Sequence, residues 1–469
     1  MGRRAWLCAL ACGALLLLAA LALARPVELV AAQVQASVFV YLPLVTKNYL
    51  PPPPPVMPDD PLFVDGSQWG LRNTGQNGGV PGADIHASQA WALTTGNPSV
   101  IVAVVDSGVD ADHPDLAGKL LPGRNFVAGA PDPNNTDDDA GHGTHVAGIA
   151  AATSNNAGGV AGVSWGARIL PVKSLYKDAT GRVIGYDTWI ANGIVFAADN
   201  GARVVNLSVG GISASATITS ALEYAYGKGV FVVVAAGNCG DSNYTANGCT
   251  SLNQPFYPAA SAHTLAVAAT DKQDARASFS TQASYVDVAA PGVSIVSTYF
   301  GGGYASMSGT SMAAPYVSGL SALILASYPS YGPDQLARAI VNSADDLGAI
   351  GSDAAYGCGR IDAYRSLVNG DIATGCSGWS GFAAAVTAGA STQASANADT
   401  AHRPGVVLVR FKDQALAMAQ GLGREVVPGL GIYEISVTPG QELAKRAELA
   451  GNADVEFAEL DHLVYALED

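Results

Sequence analysis

Short runs with no polar position alternate along this chain with longer Ala/Gly-rich stretches of helical character. Val100-Ile101-Val102-Ala103-Val104-Val105 is apolar throughout, as expected of a parallel strand covered on both faces. Arg203-Val204-Val205-Asn206-Leu207-Ser208 and Val230-Phe231-Val232-Val233-Val234 read the same way, and helical patterns such as 146–152 and 316–327 lie between the runs. From Asp59 to about Asn369 this alternation predicts an α/β fold: a doubly wound, mostly parallel sheet with helices on both faces. Polar residues gather just after the strand ends, where such folds place their sites.

The flanking regions differ. Arg3 and Arg4 precede an uncharged stretch, 5–24, that closes on Ala22-Leu23-Ala24. This is the pattern of a secretory signal peptide, 1–24, cut after Ala24. An uncleaved anchor competes on length alone. Residues 25–58 read as a linker whose five consecutive prolines, Pro51 to Pro55, form a stiff spacer of about 15 Å. A second linker, 371–402, is Ala/Ser-rich and nearly uncharged from 377 onward. In the last unit, 403–469, a strand over 406–411, a helix over 414–422, a hairpin over 425–437, a helix over 441–450 and a strand over 455–465 give a small βαββαβ, ferredoxin-like order. About 65 residues make a meagre core, so this unit is expected to dock on the large domain.

Composition narrows the class. Of 469 residues 49% are hydrophobic and 13% charged, which excludes a disordered polar chain. The formal net charge of −15 argues against nucleic acid as a partner. Cys8 and Cys12 leave with the signal. The other four cysteines allow three pairings, of which the two local ones, Cys239–Cys249 and Cys358–Cys376, suit an oxidising compartment. No segment after the signal reads as a membrane span. A secreted, extracellular monomer is expected, with attachment to the cell surface left open.

Candidate chemistry sits at element ends. Asp106-Ser107-Gly108 follows the run 100–105. Gly141-His142-Gly143-Thr144-His145 opens a helical pattern, as does Gly309-Thr310-Ser311-Met312-Ala313-Ala314-Pro315. Asp, His and Ser are the parts of a nucleophilic triad: the imidazole removes the hydroxyl proton, and the carboxylate fixes the imidazole tautomer. Ala235-Ala236-Gly237-Asn238 follows the run 230–234, and an amide there can donate to a developing oxyanion. Each part has a plainer reading alone: Asp106 as a turn residue, Ser311 as a helix N-cap, His142 and His145 as a metal pair. The His-Glu-x-x-His zinc motif is absent, and His145 reads as a structural helix residue. Met312, beside Ser311, is expected to be open to oxidants.

Taken together and in this order, these stretches resemble the subtilisin-like serine proteases, and the thermitase-like branch in particular, over roughly 59–370. The resemblance implies a serine endopeptidase acting on polypeptides. Asp106 would be the orienting acid, His142 the general base, Ser311 the nucleophile and Asn238 an oxyanion donor. Ser208, Val209 and Gly210 would pair with an extended substrate, and Ala235, Ala236 and Gly237 would line the pocket for the residue before the cut bond. It also implies one structural Ca²⁺ held by Asp60, Asp115, the Asn156 side chain and the carbonyls of Thr153, Gly158 and Val160, an all-oxygen set. Asp132, Asp137, Asp138 and Asp139 read as an acidic solvated loop rather than a second ion site. A catalytically silent peptide-binding protein of the same fold is the rival from another class, and the intact set of four residues disfavours it.

One departure stands out. The family's small prodomain normally precedes the protease. Here 404–466 resembles it instead, from Pro404-Gly405-Val406-Val407-Leu408-Val409-Arg410-Phe411-Lys412 to Val455-Glu456-Phe457-Ala458-Glu459, so the order looks circularly permuted. The resemblance implies that 403–469 acts in cis as folding aid and inhibitor, with the residues from Val464 onward lying in the substrate cleft.

Overall fold

The computed structural model describes residues 53–241, 245, 248–371, 375–379, 381, 401–413 and 424–467. The segment read as a signal peptide, most of both expected linkers and the helix expected over 414–422 lie outside these residues. The described residues from Pro54 onward form one compact unit.

The large body is built on strands β1 (Ile101–Asp106), β2 (Arg124–Asn125), β3 (Arg168–Lys173), β6 (Val204–Leu207), β8 (Phe231–Ala235), β9 (Thr264–Thr270) and β10 (Val288–Pro291). They pair in parallel in the order β10-β9-β8-β6-β1-β3-β2. β8 and β9 are buried along their whole length, as their unbroken apolar runs require. Helices α1 (His142–Ala151), α2 (Asp187–Asp199), α3 (Ala216–Gly227), α4 (Thr310–Ser327), α5 (Pro333–Val341) and α6 (Ala363–Asn369) accompany the sheet. By length and composition α4 could cross a membrane, against the expectation that no such segment follows the signal. It is instead a core helix, 89% of its apolar window being buried.

Three more strands edge this body: β4 (Tyr176–Lys177), β5 (Val183–Tyr186) and β7 (Val209–Gly210). An antiparallel pair, β11 (Ile295–Tyr299) and β12 (Gly303–Met307), packs beside α1. The C-terminal unit contributes β13 (His402–Phe411), β14 (Arg424–Val427), β15 (Ile432–Ser436), α7 (Glu442–Ala450) and β16 (Val455–Ala466). Its sheet runs β14-β15-β13-β16 and continues from β16 into β5 and β4 of the large body.

Segments at both edges of the large body make specific contacts with it. Val56 N bonds Ser88 O at 2.8 Å and Pro58 is buried, so the described end of the Pro-rich linker packs on the large body. At the far edge, Cys376 is bonded to Cys358, Ser352 N donates to Ser377 O, and Trp379 Nε1 donates to Asp287 Oδ1 at 2.8 Å. The body thus extends past 370. Burial pushes the Asp287 carboxyl up to about 7, and the indole N–H partly offsets that cost.

Candidate active site

Two of the three candidate residues meet directly, and the third stands on a helix packed against both of their elements. β1 ends at Asp106, α1 begins at His142 and the first turn of α4 holds Ser311, and all three side chains are inaccessible to solvent. His142 Nδ1 lies 2.7 Å from Asp106 Oδ1, which also accepts from Ser107 N at 2.7 Å. Asn238 follows β8. Its Oδ1 accepts from Thr310 N (3.1 Å) and Thr310 Oγ1 (2.9 Å), which fixes the amide orientation. Its Nδ2 is buried with no hydrogen-bond partner among the described residues, the state of a donor awaiting an acceptor. Pro315 lacks an N–H for the carbonyl of Ser311, four residues earlier, and Ser208 Oγ bonds that carbonyl instead at 2.8 Å.

The start of the His142 helix is held by a carboxylate that local sequence pattern does not single out. Asp138 Oδ1 accepts from Ala140 N, Gly141 N and Ser107 Oγ, and Oδ2 from Thr144 N and Oγ1. Asp138 is therefore a buried clamp on the start of α1 rather than part of a solvated loop; Asp132 and Asp137 are exposed. Asp–Gly–His spacing was the only available hint. His145 bonds the carbonyls of Ile295 (3.0 Å) and Ala305 (3.1 Å), and burial depresses its pKa to about 3. It is a neutral structural donor bridging α1 to β11 and β12. The Met312 side chain is fully buried rather than open, because it faces the core from α4.

The end of β16 occupies the groove above Ser311. Leu463, Val464 and Tyr465 pair antiparallel with Tyr186, Gly185 and Ile184 of β5, while Tyr465 and Ala466 pair with Gly210 and Val209 of β7. Leu467 N donates to Ser311 Oγ at 3.0 Å, Ser311 N approaches Leu467 O at 3.4 Å, and Ser311 Oγ donates to Ser208 O at 2.9 Å. Leu467 is fully buried in the same apolar cluster as Ala235 and Ala236. Gly237 has φ +108, and a Cβ there would meet the Phe256 ring at 2.8 Å, so this position needs glycine. Of the two strands flanking the tail, the sequence showed β7 and not β5.

β16 also holds the C-terminal unit against two helix starts. Glu459 accepts from Ala216 N (2.7 Å) and Thr217 N (2.8 Å) at the N-terminus of α3. Asp461 accepts from Thr188 N (3.0 Å) and Thr188 Oγ1 (2.9 Å) at that of α2. Burial pushes Asp461 up to about 7 against the opposing pull of Arg403, and raises Glu459. His462, bonded to Asp187 at 3.1 Å, is held above the ordinary imidazole range although burial opposes its charge.

Asp60 and Asp115 lie together, both buried, and neither forms an ion pair with a cation among the described residues. Asp60 accepts from Asn155 N at 2.8 Å, Asp115 from Val160 N at 2.8 Å, and Asn156 lies beside both; burial and Asp115 raise the Asp60 pKa. Thr153, Gly158 and Val160 belong to the same loop. Two uncompensated carboxylates with an amide and backbone oxygens fit a hard divalent cation. Both expected cysteine pairs, Cys239–Cys249 and Cys358–Cys376, are disulfides.

An α/β body with a Ser, a His and an Asp at the ends of its elements is the arrangement used by serine-type hydrolases. The comparisons narrow this. Residues 97–359 match the subtilase family. Thermitase of Thermoactinomyces vulgaris is 42% identical over 312 residues, 66% of this chain and 99% of the relative. A thermophilic serine proteinase of a Bacillus species is 41% identical over 66% of this chain and 69% of its own length. Among solved structures, fervidolysin of Fervidobacterium pennivorans, a keratinolytic enzyme related to subtilisin, has a TM-score of 0.56 at 29% identity, covering 76% of this chain and 52% of its own. The chain belongs to the subtilase family and is a serine endopeptidase of the subtilisin-like fold, with an additional C-terminal antiparallel sheet.

Proposed function

We propose that this chain is an exported, calcium-stabilised endopeptidase kept latent by its own C-terminal unit. Ser311 Oγ attacks the carbonyl carbon of a peptide lying between β5 and β7. His142 takes the hydroxyl proton and delivers it to the leaving amine, and water then repeats the sequence on the acyl-enzyme. Asp106 holds the imidazole through the 2.7 Å contact and stabilises its charged form. Asn238 Nδ2 and Ser311 N receive the oxyanion, aided by the positive end of α4. A bound Ca²⁺ would neutralise Asp60 and Asp115 and tie the segment at 60 to the loop 153–160; it takes no part in the chemistry. Export is supported by the 1–24 pattern and the two disulfides.

The observation that carries the latency reading is the bond from Leu467 N to Ser311 Oγ at the end of a strand paired on both sides. Strand addition is how an extended substrate binds, so the tail stands in for one. Labelling the full chain with an active-site fluorophosphonate tests this. Deletion of 462–469 should speed labelling at least tenfold, and Ser311→Ala should abolish it. Equal labelling rates with and without the tail would sink the inhibitor role while leaving the protease intact.

A further inference from the structure

We infer that the groove contains a subsite selective for an aromatic side chain at the third residue before the cut bond, walled by the Cys239–Cys249 disulfide. The inference rests on the tail marking the substrate path. Counting back from Leu467, Tyr465 holds that third position. Val464 and Ala466 on either side of it are buried, whereas Tyr465 is half-buried, as alternation along a strand requires. Its ring rests on the bare backbone of Gly248: a Cβ there would lie 3.1 Å from Tyr465 Cε2 and 3.7 Å from Cδ2 and Cζ. Gly248 sits at φ +73, a conformation open to glycine and, at a cost, asparagine.

The wall is braced. Cys249 adjoins Gly248 and is bonded to Cys239, which directly follows Asn238. Cys239 N donates to Thr281 Oγ1 at 3.0 Å, and Asn253 N donates to Cys239 O at 2.7 Å. The disulfide therefore fixes Gly248 to the same rigid strand end that carries the amide at 238. The β4–β5 turn, where Arg182 and Asp178 are paired at 3.1 Å, lies near enough for both charges to act on the Tyr465 phenol. Burial raises the Tyr465 pKa, and the Arg182 and Asp178 charges act on its phenol in opposite directions. A flat side chain thus covers the bare backbone of Gly248, and a small one leaves it open.

The test uses the full chain and two chromogenic peptide anilides, Val-Tyr-Ala-Leu and Val-Ala-Ala-Leu. The tail competes equally with both, so the ratio of their kcat/KM values does not depend on how much enzyme is occluded. The tyrosyl peptide should be preferred about tenfold. Gly248→Asn, which puts a side chain where the ring rests, should bring the ratio below about threefold, and a thiol reductant that opens the 239–249 bridge should do the same. Fluorophosphonate labelling of each form confirms an assembled Ser311 site. A ratio near one in the parent chain overturns the subsite, as does a ratio indifferent to both Gly248→Asn and reduction. Labelling at Ser311 with no cleavage of either peptide overturns it too; loss of labelling as well strikes the protease reading itself.

Discussion

The large body and the C-terminal unit solve the burial problem in opposite ways. The body's core is one continuous apolar cluster around a parallel sheet, closed by its own helices. The C-terminal sheet has two unequal faces. Val407, Val409, Phe411, Tyr433, Leu449 and Val455 form a small core of their own beneath α7. Their strand neighbours Val406 and Leu408, with Val427, Ile432 and Val464, belong to the body's cluster. A strand apolar on both faces, Val406-Val407-Leu408-Val409, demands cover from two sides, and about 65 residues supply only one. The body is thus self-sufficient, whereas the C-terminal unit gains half its burial, and two carboxylate-capped helix ends, only by sitting across the cleft.

The largest expected effects fall on the self-sufficient side. Asn238→Ala should lower kcat by about 10²–10³, the range that removing this donor gives in subtilisin itself, with thermal unfolding nearly unchanged. A loss below tenfold would place the oxyanion elsewhere. Next comes the shared face. Leu408→Ala should weaken docking by about 2–5 kcal/mol and raise peptide hydrolysis by the full chain roughly 30-fold or more; unchanged hydrolysis would erase the distinction between the two faces.

A smaller effect is expected from pH. Asp461, Glu459 and His462 all bind protons more tightly when docked than ordinary groups do, beside Asp187 and Arg403. A raised docked pKa means that docking is strongest below the ordinary carboxylate range and weakens as pH rises through about 7. Peptide hydrolysis by the full chain, divided at each pH by that of Asp461→Asn, should therefore climb between pH 5 and 8. A flat ratio would remove Asp461 from the switch. Smallest is the metal: chelation should lower Tm by roughly 5 °C, and Asp115→Asn should lower it similarly and make chelation silent.

Much of this molecule is legible in its residues, for identifiable reasons. Parallel strands announce themselves because both faces are buried, and Asp106, His142, Ser311 and Asn238 stand out because each lies at or just beyond the end of an element. Features set by long-range partners were hidden. Asp138 reads as one acid among several, because its clamp on Ser107 and Thr144 exists only after β1 and α1 meet. β5 carries no signal that it will pair with a strand 279 residues further along, Val464 opposite Gly185 being fixed by docking rather than by local pattern. Trp379 in a Ser/Gly-rich stretch looks like linker until Asp287 is seen to hold its indole.

The tail that reaches Ser311 belongs to the same polypeptide as the residue it covers. Occupancy is therefore unimolecular, with a local concentration on the order of millimolar that dilution cannot lower. Release into a large volume, which would strip a separate blocker from its target, leaves this one in place. On the latency proposed above, waking the molecule would call for a severed backbone or a chemical change at the docked face, and the number of molecules nearby would be irrelevant.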